Sequence, residues 1–393
     1  MAAAKRIESI RLQILQLFQA SPKVFDVVFV ANATAGIKLV ADGFCASPHG
    51  FRYKYLRDVH TSLVGVCGLA QEHEFLSEEE VDAWLSVEHV ETIEDFKPGL
   101  FAFPAQSNFN GRRFPLQWIS KLKQNRPGWY SLLDAASFLT TTPLNLSDGK
   151  NAPDFTVMSF YKIFGYPDLG AIIVRRFAAR MLIQRRYFGG GTRATLKVDS
   201  SNSPHTVLHE SLEDGTLPFH SILALEACIN NFKRLFGIQW QSRIAQHVSL
   251  LNQFAYSIIS SLQYENGMPM CQLYSYAKQG PIITFNILSQ LDGRQIGFIE
   301  FEKQASMRNF AVRTGGMCNP GSVQRYLDWR DDELDEIFEA GKECGDEMDL
   351  VGNKNLGAIR ISFGACSTVE DVCAFVEFLC EFCLDRSSGP GLA

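Results

Sequence analysis

The first half of this chain alternates short apolar runs with helix-like stretches, a pattern that leaves few folds open. Val27-Val28-Phe29-Val30, Leu100-Phe101-Ala102-Phe103, Tyr130-Ser131-Leu132-Leu133, Phe155-Thr156-Val157-Met158 and Ala171-Ile172-Ile173-Val174 read as buried strands. Between them lie helical stretches. Residues 4–19 put Ile7, Ile10, Ile14, Leu17 and Phe18 on one stripe, a new helix opens at Asn32-Ala33-Thr34, and Leu116–Lys123 precedes the third strand. Such alternation predicts a mainly parallel sheet covered by helices, hence an α/β class.

Four of these strands run into residues capable of chemistry. Strand 27–30 leads to Asn32 and Thr34, 100–103 to Gln106 and Asn108, 130–133 to Asp134, and 155–158 to Ser159 and Lys162. Parallel strands share one carboxyl edge, where open α/β sheets bind ligands. One strand ending in a polar loop is ordinary; four together favour a site.

The second half is organised differently. Leu217–Phe236 and Ile238–Leu262 read as helices, the latter with apolar positions at Ile244, Val248, Leu251, Phe254 and Ile258. Beyond it, Ile282–Ile287 and Ala358–Ile361 are strand-like, and Val369–Leu384 is an amphipathic helix. At roughly 150 residues per domain, 393 residues suggest two or three domains. We expect a large domain over 1–236 and, over 237–393, a helical connection and a smaller α+β domain.

Composition narrows the function classes. The net charge of −6 offers nucleic acid and anionic lipid no overall attraction. No apolar run approaches the roughly 18 residues of a membrane span, and MAAAKRIESIRLQILQLFQ has neither the apolar region nor the cleavage site of a signal peptide. A cytoplasmic protein without nucleic-acid or membrane partners is expected. There the ten cysteines should be mostly free thiols.

Nucleotide motifs of the GxGxxG and GxxxxGK[ST] kinds are absent. Ala33 and Thr34 at a helix N-terminus can hold a phosphate, or Asn32 or Thr34 can be a plain N-cap. His205, His209 and Glu210 look like a metal pair only superficially, because HxxxHE is not HExxH; structural or surface roles are expected and no metal is assigned. Cys380 and Cys383 form a CxxC near the end of the last helix, away from the positive N-terminus that favours thiolates, so core packing is expected of Cys373, Cys380 and Cys383. Asp134 and Lys162 are more informative as a pair. Pyridoxal phosphate needs a lysine for its aldehyde, an aspartate for its pyridinium nitrogen and a helix N-terminus for its phosphate; by spacing alone, a surface lysine and aspartate remain the alternative.

Nine segments carry a resemblance that covers almost the whole chain: FVANATAGIKLVADGF, YLRDVHTSLVGV, FPAQSNFNGRRFPL, LLDAASF, SFYKIFGYPDLGAIIV, YFGGGT, LEDGT, VRTGGMCNPG and IRISFGACST. In number and order they resemble the class V aminotransferase branch of the pyridoxal 5'-phosphate enzymes, and within it the cysteine desulfurase-like domain of molybdenum cofactor sulfurases. The resemblance implies PLP-dependent fold type I and a homodimer. It makes Lys162 the Schiff-base lysine, Asp134 the pyridinium partner and His60 the histidine stacked on the ring, with a further part in proton transfer. Asn108 would donate to the ring hydroxyl; Thr34, Ala33 and Ser159 would contact the phosphate; Thr192 would reach it across the dimer interface. Arg360 would grip the amino-acid carboxylate. Cys318, between two glycines and Asn319-Pro320-Gly321, matches the nucleophile on a swinging loop.

The implied reaction takes sulfur from L-cysteine, or acts on another small amino acid, leaves a persulfide on Cys318 and releases alanine. A sulfur-acceptor protein or molybdenum cofactor would be the acceptor. Two other readings stay open: a PLP-dependent C–S or C–C lyase or aminotransferase, which would not need Cys318, and a truncated non-catalytic relative acting as an interaction partner. The last is suggested because family members carry an N-terminal segment with an Asp-His-Ala-Gly-like stretch ahead of the first helix, and a C-terminal cofactor-binding domain, neither of which this sequence contains. Gly316 replaces a cysteine frequent in sulfurases. Ser137, where general cysteine desulfurases have glutamine, agrees with the sulfurase branch.

Overall fold

Strands buried on both faces are mostly apolar, and the computed structural model, which describes residues 2–88, 97–194, 205–277, 279–343 and 345–388, assembles five such strands and two more polar ones into one sheet. Seven strands compose it: β1 (Phe25–Val30), β2 (Arg52–Leu56), β3 (Glu72–Leu76), β4 (Gly99–Pro104), β5 (Trp129–Asp134), β6 (Phe155–Ser159) and β7 (Gly170–Arg175), in the order β1-β7-β6-β5-β4-β2-β3. Strands β6, β5, β4, β2 and β3 pair in parallel, whereas β7 is antiparallel to both β6 and β1. Six strands therefore run one way, as the alternation predicts. The reversal at β7 follows from its short link to β6, because a parallel crossover needs a dozen or more residues.

The chain falls into two compact units. The first takes residues up to Arg57, Thr61–Ala105 and Phe114–Ser242; the second takes Asp58–His60, Gln106–Arg113 and residues from Arg243 on. In the second unit, β8 (Cys271–Leu273), β9 (Ile282–Ile287), β10 (Arg313–Gly315) and β13 (Ala358–Ser362) form an antiparallel sheet in the order β10-β13-β9-β8, and β11 (Leu350–Val351) pairs with β12 (Lys354–Asn355). Alternation sorts the two faces of this sheet. Ile283, Phe285, Ile287, Ile359 and Ile361 pack against the helices Phe298–Met307 and Val369–Ser388, leaving Thr284, Asn286, Ala358 and Arg360 for the other face. Helix Trp240–Ile259 buries Ile244, Val248 and Leu251 as expected, but then Ala255 and Ile259; Phe254 is exposed, because the stripe steps by four residues there and not by three.

In the first unit, the leading helix Ala2–Leu17 is held to β1 by ion pairs. Arg11 donates to both carboxylate oxygens of Glu213, at 2.7 and 2.6 Å, and to the Val27 carbonyl. The His209 ring bridges Asp26 (Nδ1, 3.1 Å) and Glu8 (Nε2, 3.4 Å), while His205 Nε2 lies 3.1 Å from the Gly191 carbonyl. The HxxxHE pattern is thus occupied by structural contacts. Among the described residues no cluster of His, Cys, Asp and Glu suits a metal. Cys383 is buried in the second unit's core, and burial pushes its thiol up to about 12, consistent with packing; Cys380 is half-buried, and Cys373 is exposed and does not pack, because it lies on the outer side of the helix Val369–Ser388.

Burial opposes charge on His209, but Asp26 and Glu8 outweigh it and raise its pKa to about 9; the His209 hydrogen bond in turn lowers Glu8 to about 2. The histidine's contribution is full below its ordinary 6.5 and fades as pH rises through 9; the glutamate's is full above its ordinary 4.5 and fades as pH falls towards 2. His209→Gln should therefore lower stability by about 1–2 kcal/mol near pH 6 and by less than half of that near pH 9.5, measured as urea midpoints. An equal loss at both pH values would contradict the assignment.

Candidate active site

At the carboxyl edge of the main sheet, strand register fixes which side chains share a face. Asp134 at the end of β5 pairs with Val157 on β6, so Asp134, Val157 and, two residues on, Ser159 point the same way. That face is the one covered by helix Ala33–Cys45, since a Cβ on Gly36 would lie 3.1 Å from Val157. The helix starts at Asn32, whose extended backbone and side-chain bond to the Ala35 N–H make an N-cap. The Ala33 N–H donates to Ser159 Oγ at 2.9 Å, tying the helix N-terminus to the end of β6. Gly170 allows this closeness: a Cβ there would sit 2.6 Å from the Asn32 Cα and 2.7 Å from the Met158 carbonyl oxygen.

Thr34 is exposed at this N-terminus, with the orientation that favours an anion. Asp134 is 9% exposed, and its Oδ1 accepts the Ala136 N–H at 2.9 Å. Lys162 follows Ser159 in the short helix Phe160–Phe164, which packs against the turn Phe138–Thr140 just beyond Asp134; its side chain is exposed. Asp134, Ser159, Ala33, Thr34 and Lys162 are thus gathered at one edge. Thr192 is fully buried, and both hydrogen bonds of its hydroxyl go to the Gly189 backbone.

The second unit gathers another set. Arg360 on β13 pairs with Thr284 on β9 and shares its face. Its Nη1 donates to the Asn108 carbonyl at 2.6 Å, while its buried Nε has no hydrogen-bond partner. Asn108 Nδ2 donates to the Met317 carbonyl at 2.7 Å. His60 is half-buried in the same unit.

Cys318 is exposed on a tight turn between β10 and helix Pro320–Leu327. Met317 and Cys318 have φ of +56° and +52°, a left-handed conformation that costs a side-chain-bearing residue about 1 kcal/mol or more. Both neighbours of the thiol are anchored: Met317 packs among Phe109, Tyr274, Val323 and Leu327, and the buried Asn319 side chain caps the following helix by accepting the Ser322 N–H. The resemblance implies a swinging loop; the structure shows a short turn pinned on each side of an exposed sulfur. Asp58 and Ser107, which complete this pinning with Asn319, are not singled out by the sequence, although each lies close to a residue that is.

The aminotransferase class V model matches residues 1–375. Molybdenum cofactor sulfurases of Chaetomium globosum and Botryotinia fuckeliana are each 46% identical to this chain, over 398 and 401 residues that cover 98% of it and 51% and 49% of theirs. The chain spans about half the length of these curated relatives. The apo structure of a cysteine desulfurase from Thermococcus onnurineus NA1 shares the fold, with a TM-score of 0.72 at 18% identity over 98% of this chain and 85% of that one. With a family match running from the first helix into the last, the chain belongs to the class V aminotransferase family.

Proposed function

We propose that the chain is a pyridoxal 5'-phosphate-dependent cysteine desulfurase that moves the sulfur of L-cysteine onto Cys318 and releases alanine. The observation that carries the cofactor assignment is the common face of Asp134, Ser159 and the 33–45 helix N-terminus, followed directly by Lys162. These residues fit the group: a carboxylate for a protonated ring nitrogen, N–H and hydroxyl donors for a phosphate, and an accessible amine for an aldehyde. Bound pyridoxal phosphate would supply a sink for the electron pair left when the substrate Cα loses its proton.

Lys162 would hold the cofactor by its aldehyde carbon, and its Nζ, when free, would carry the substrate Cα proton. Arg360, with an unpartnered buried Nε, suits the substrate carboxylate, and His60 and Asn108 would orient the ring. The Cys318 thiolate attacks the substrate sulfur; an S–S bond forms as the C–S bond breaks, and the carbon takes a proton to become alanine. The sum is L-cysteine plus thiol giving alanine plus persulfide, with no outside oxidant. Support for the sulfurase branch comes from the 46% identical relatives, and a sulfur-acceptor protein or molybdenum cofactor is the proposed receiver. Thr192 is assigned to a contact across a homodimer, for which its hydroxyl has to leave Gly189. Among the described residues, no helix is long and apolar enough to cross a membrane.

The test is turnover of the cofactor-loaded protein with L-cysteine and a reductant. Alanine and sulfide should appear in equal amounts, and Cys318→Ala should lower both by about a hundredfold or more. Undiminished activity in Cys318→Ala would replace this reading with a lyase.

A further inference from the structure

Asp58 is 5% exposed, lies two residues before His60, and is linked to the turn that bears Cys318. Its Oδ1 accepts two hydrogen bonds, from Ser107 Oγ at 2.7 Å and from Asn319 Nδ2 at 2.6 Å. Its Oδ2 is buried without a hydrogen-bond partner. Burial raises its pKa against the opposing pull of Ser107, Asn319, Ser322 and Arg325. A carboxylate kept in so costly a place needs a reason.

The contacts of its partners supply one. Asn319 Nδ2 is shared with Asn108 Oδ1 at 3.0 Å, and Asn319 Oδ1 caps helix Pro320–Leu327. Asn108 in turn holds the Met317 carbonyl and receives Arg360 on its own carbonyl. One chain of hydrogen bonds thus joins Asp58, Asn319, Asn108 and Arg360, and it grips the backbone on both sides of Cys318. Met317 and Cys318, both left-handed, persist only if their surroundings over-determine them.

We propose that Asp58 is a positioning residue for Cys318: through Asn319 it holds the left-handed turn that presents the thiol, and through Ser107 it fixes the loop on which Asn108 meets Arg360. The role attributed to the thiol rests on the desulfurase reading; the pinning of the turn does not. Asp58→Ala removes the acceptor of the Ser107 hydroxyl and leaves Asn319 Nδ2 with only its Asn108 bond. Asp58→Asn keeps an oxygen at Oδ1 for both donors and removes the buried charge, so it is the conservative rescue.

Hydrogen exchange on the whole protein reads the pinning without turnover. Asp58→Ala should speed exchange of the Asn319, Ser322 and Val323 amides about tenfold, leave β9 and β13 unchanged, and be restored by Asp58→Asn. In the active enzyme it should cut kcat for alanine release about tenfold or more with KM within about twofold. Unchanged local exchange, exchange raised throughout the second unit, or local loosening with unaltered kcat would each overturn the proposal. If Asp58→Ala does not fold, Asn319→Ala cuts the same bridge from the other side and must give the same split between kcat and KM. A wild type that releases no alanine defeats the desulfurase reading, and the exchange result then decides alone whether Asp58 holds the turn.

Discussion

Lys162→Ala should abolish alanine release from L-cysteine, lowering the rate by about 10³–10⁴-fold or more, because one amine both holds the cofactor and carries the Cα proton. The side chain is exposed in a five-residue helix, whose packing rests on Phe160 buried beneath it and on Phe164 against Phe232 and Trp240. Folding should therefore be unaffected, and the circular dichroism spectrum of the variant should overlay that of the wild type. The visible absorbance of the lysine-linked cofactor in the loaded wild type should be missing. Added methylamine should restore part of the rate, since the missing group is a small base in an accessible place. An active variant would remove Lys162 from the mechanism and, with it, the cofactor assignment.

Glu213→Ala should cost about 3–5 kcal/mol, the largest stability loss expected of any substitution considered. The side chains of Glu213 and Arg11 are each only 4% exposed and meet in a bidentate pair, and Glu213 Oε1 also accepts the Phe29 N–H at 2.7 Å. Truncation leaves the Arg11 guanidinium buried with the Val27 carbonyl and the half-exposed Glu8 carboxylate as its remaining hydrogen-bond partners. The double variant Arg11→Met/Glu213→Leu should recover most of the loss, as apolar replacements of a buried pair commonly do. Urea unfolding of the three variants separates these outcomes, and a loss under about 1 kcal/mol in Glu213→Ala would show that water reaches the arginine.

The strands legible in sequence are the ones buried on both faces, since burial forces apolar runs. β2 and β3 escaped because RYKYL and EHEFL mix charge with aromatics; β3 is an edge strand whose Glu72 and Glu74 are exposed and pair with Lys97 and Lys54. Asp134, Ser159, Lys162 and Thr34 could be read in advance because the carboxyl edge of a parallel sheet is a place that strand direction alone defines. The Asp58 network has no such rule. Asp58 and Asn319 are 261 residues apart, and only the folded chain shows that an aspartate near one motif secures an asparagine inside another. A proline at the first position of helix Pro320–Leu327 marks where the turn ends, but the left-handed pair before it carries side chains and leaves no glycine as a sign.

Strand β1 is an outer strand of the main sheet, and among the described residues it pairs there with β7 alone. A ribosome therefore releases β1 long before the strand it must pair with, and Phe25–Val30 has no sheet to join until synthesis has passed Arg175. During that interval five apolar side chains of FDVVFV are available to other chains, so the amino-terminal stretch is where a growing polypeptide of this fold most needs shielding by a chaperone.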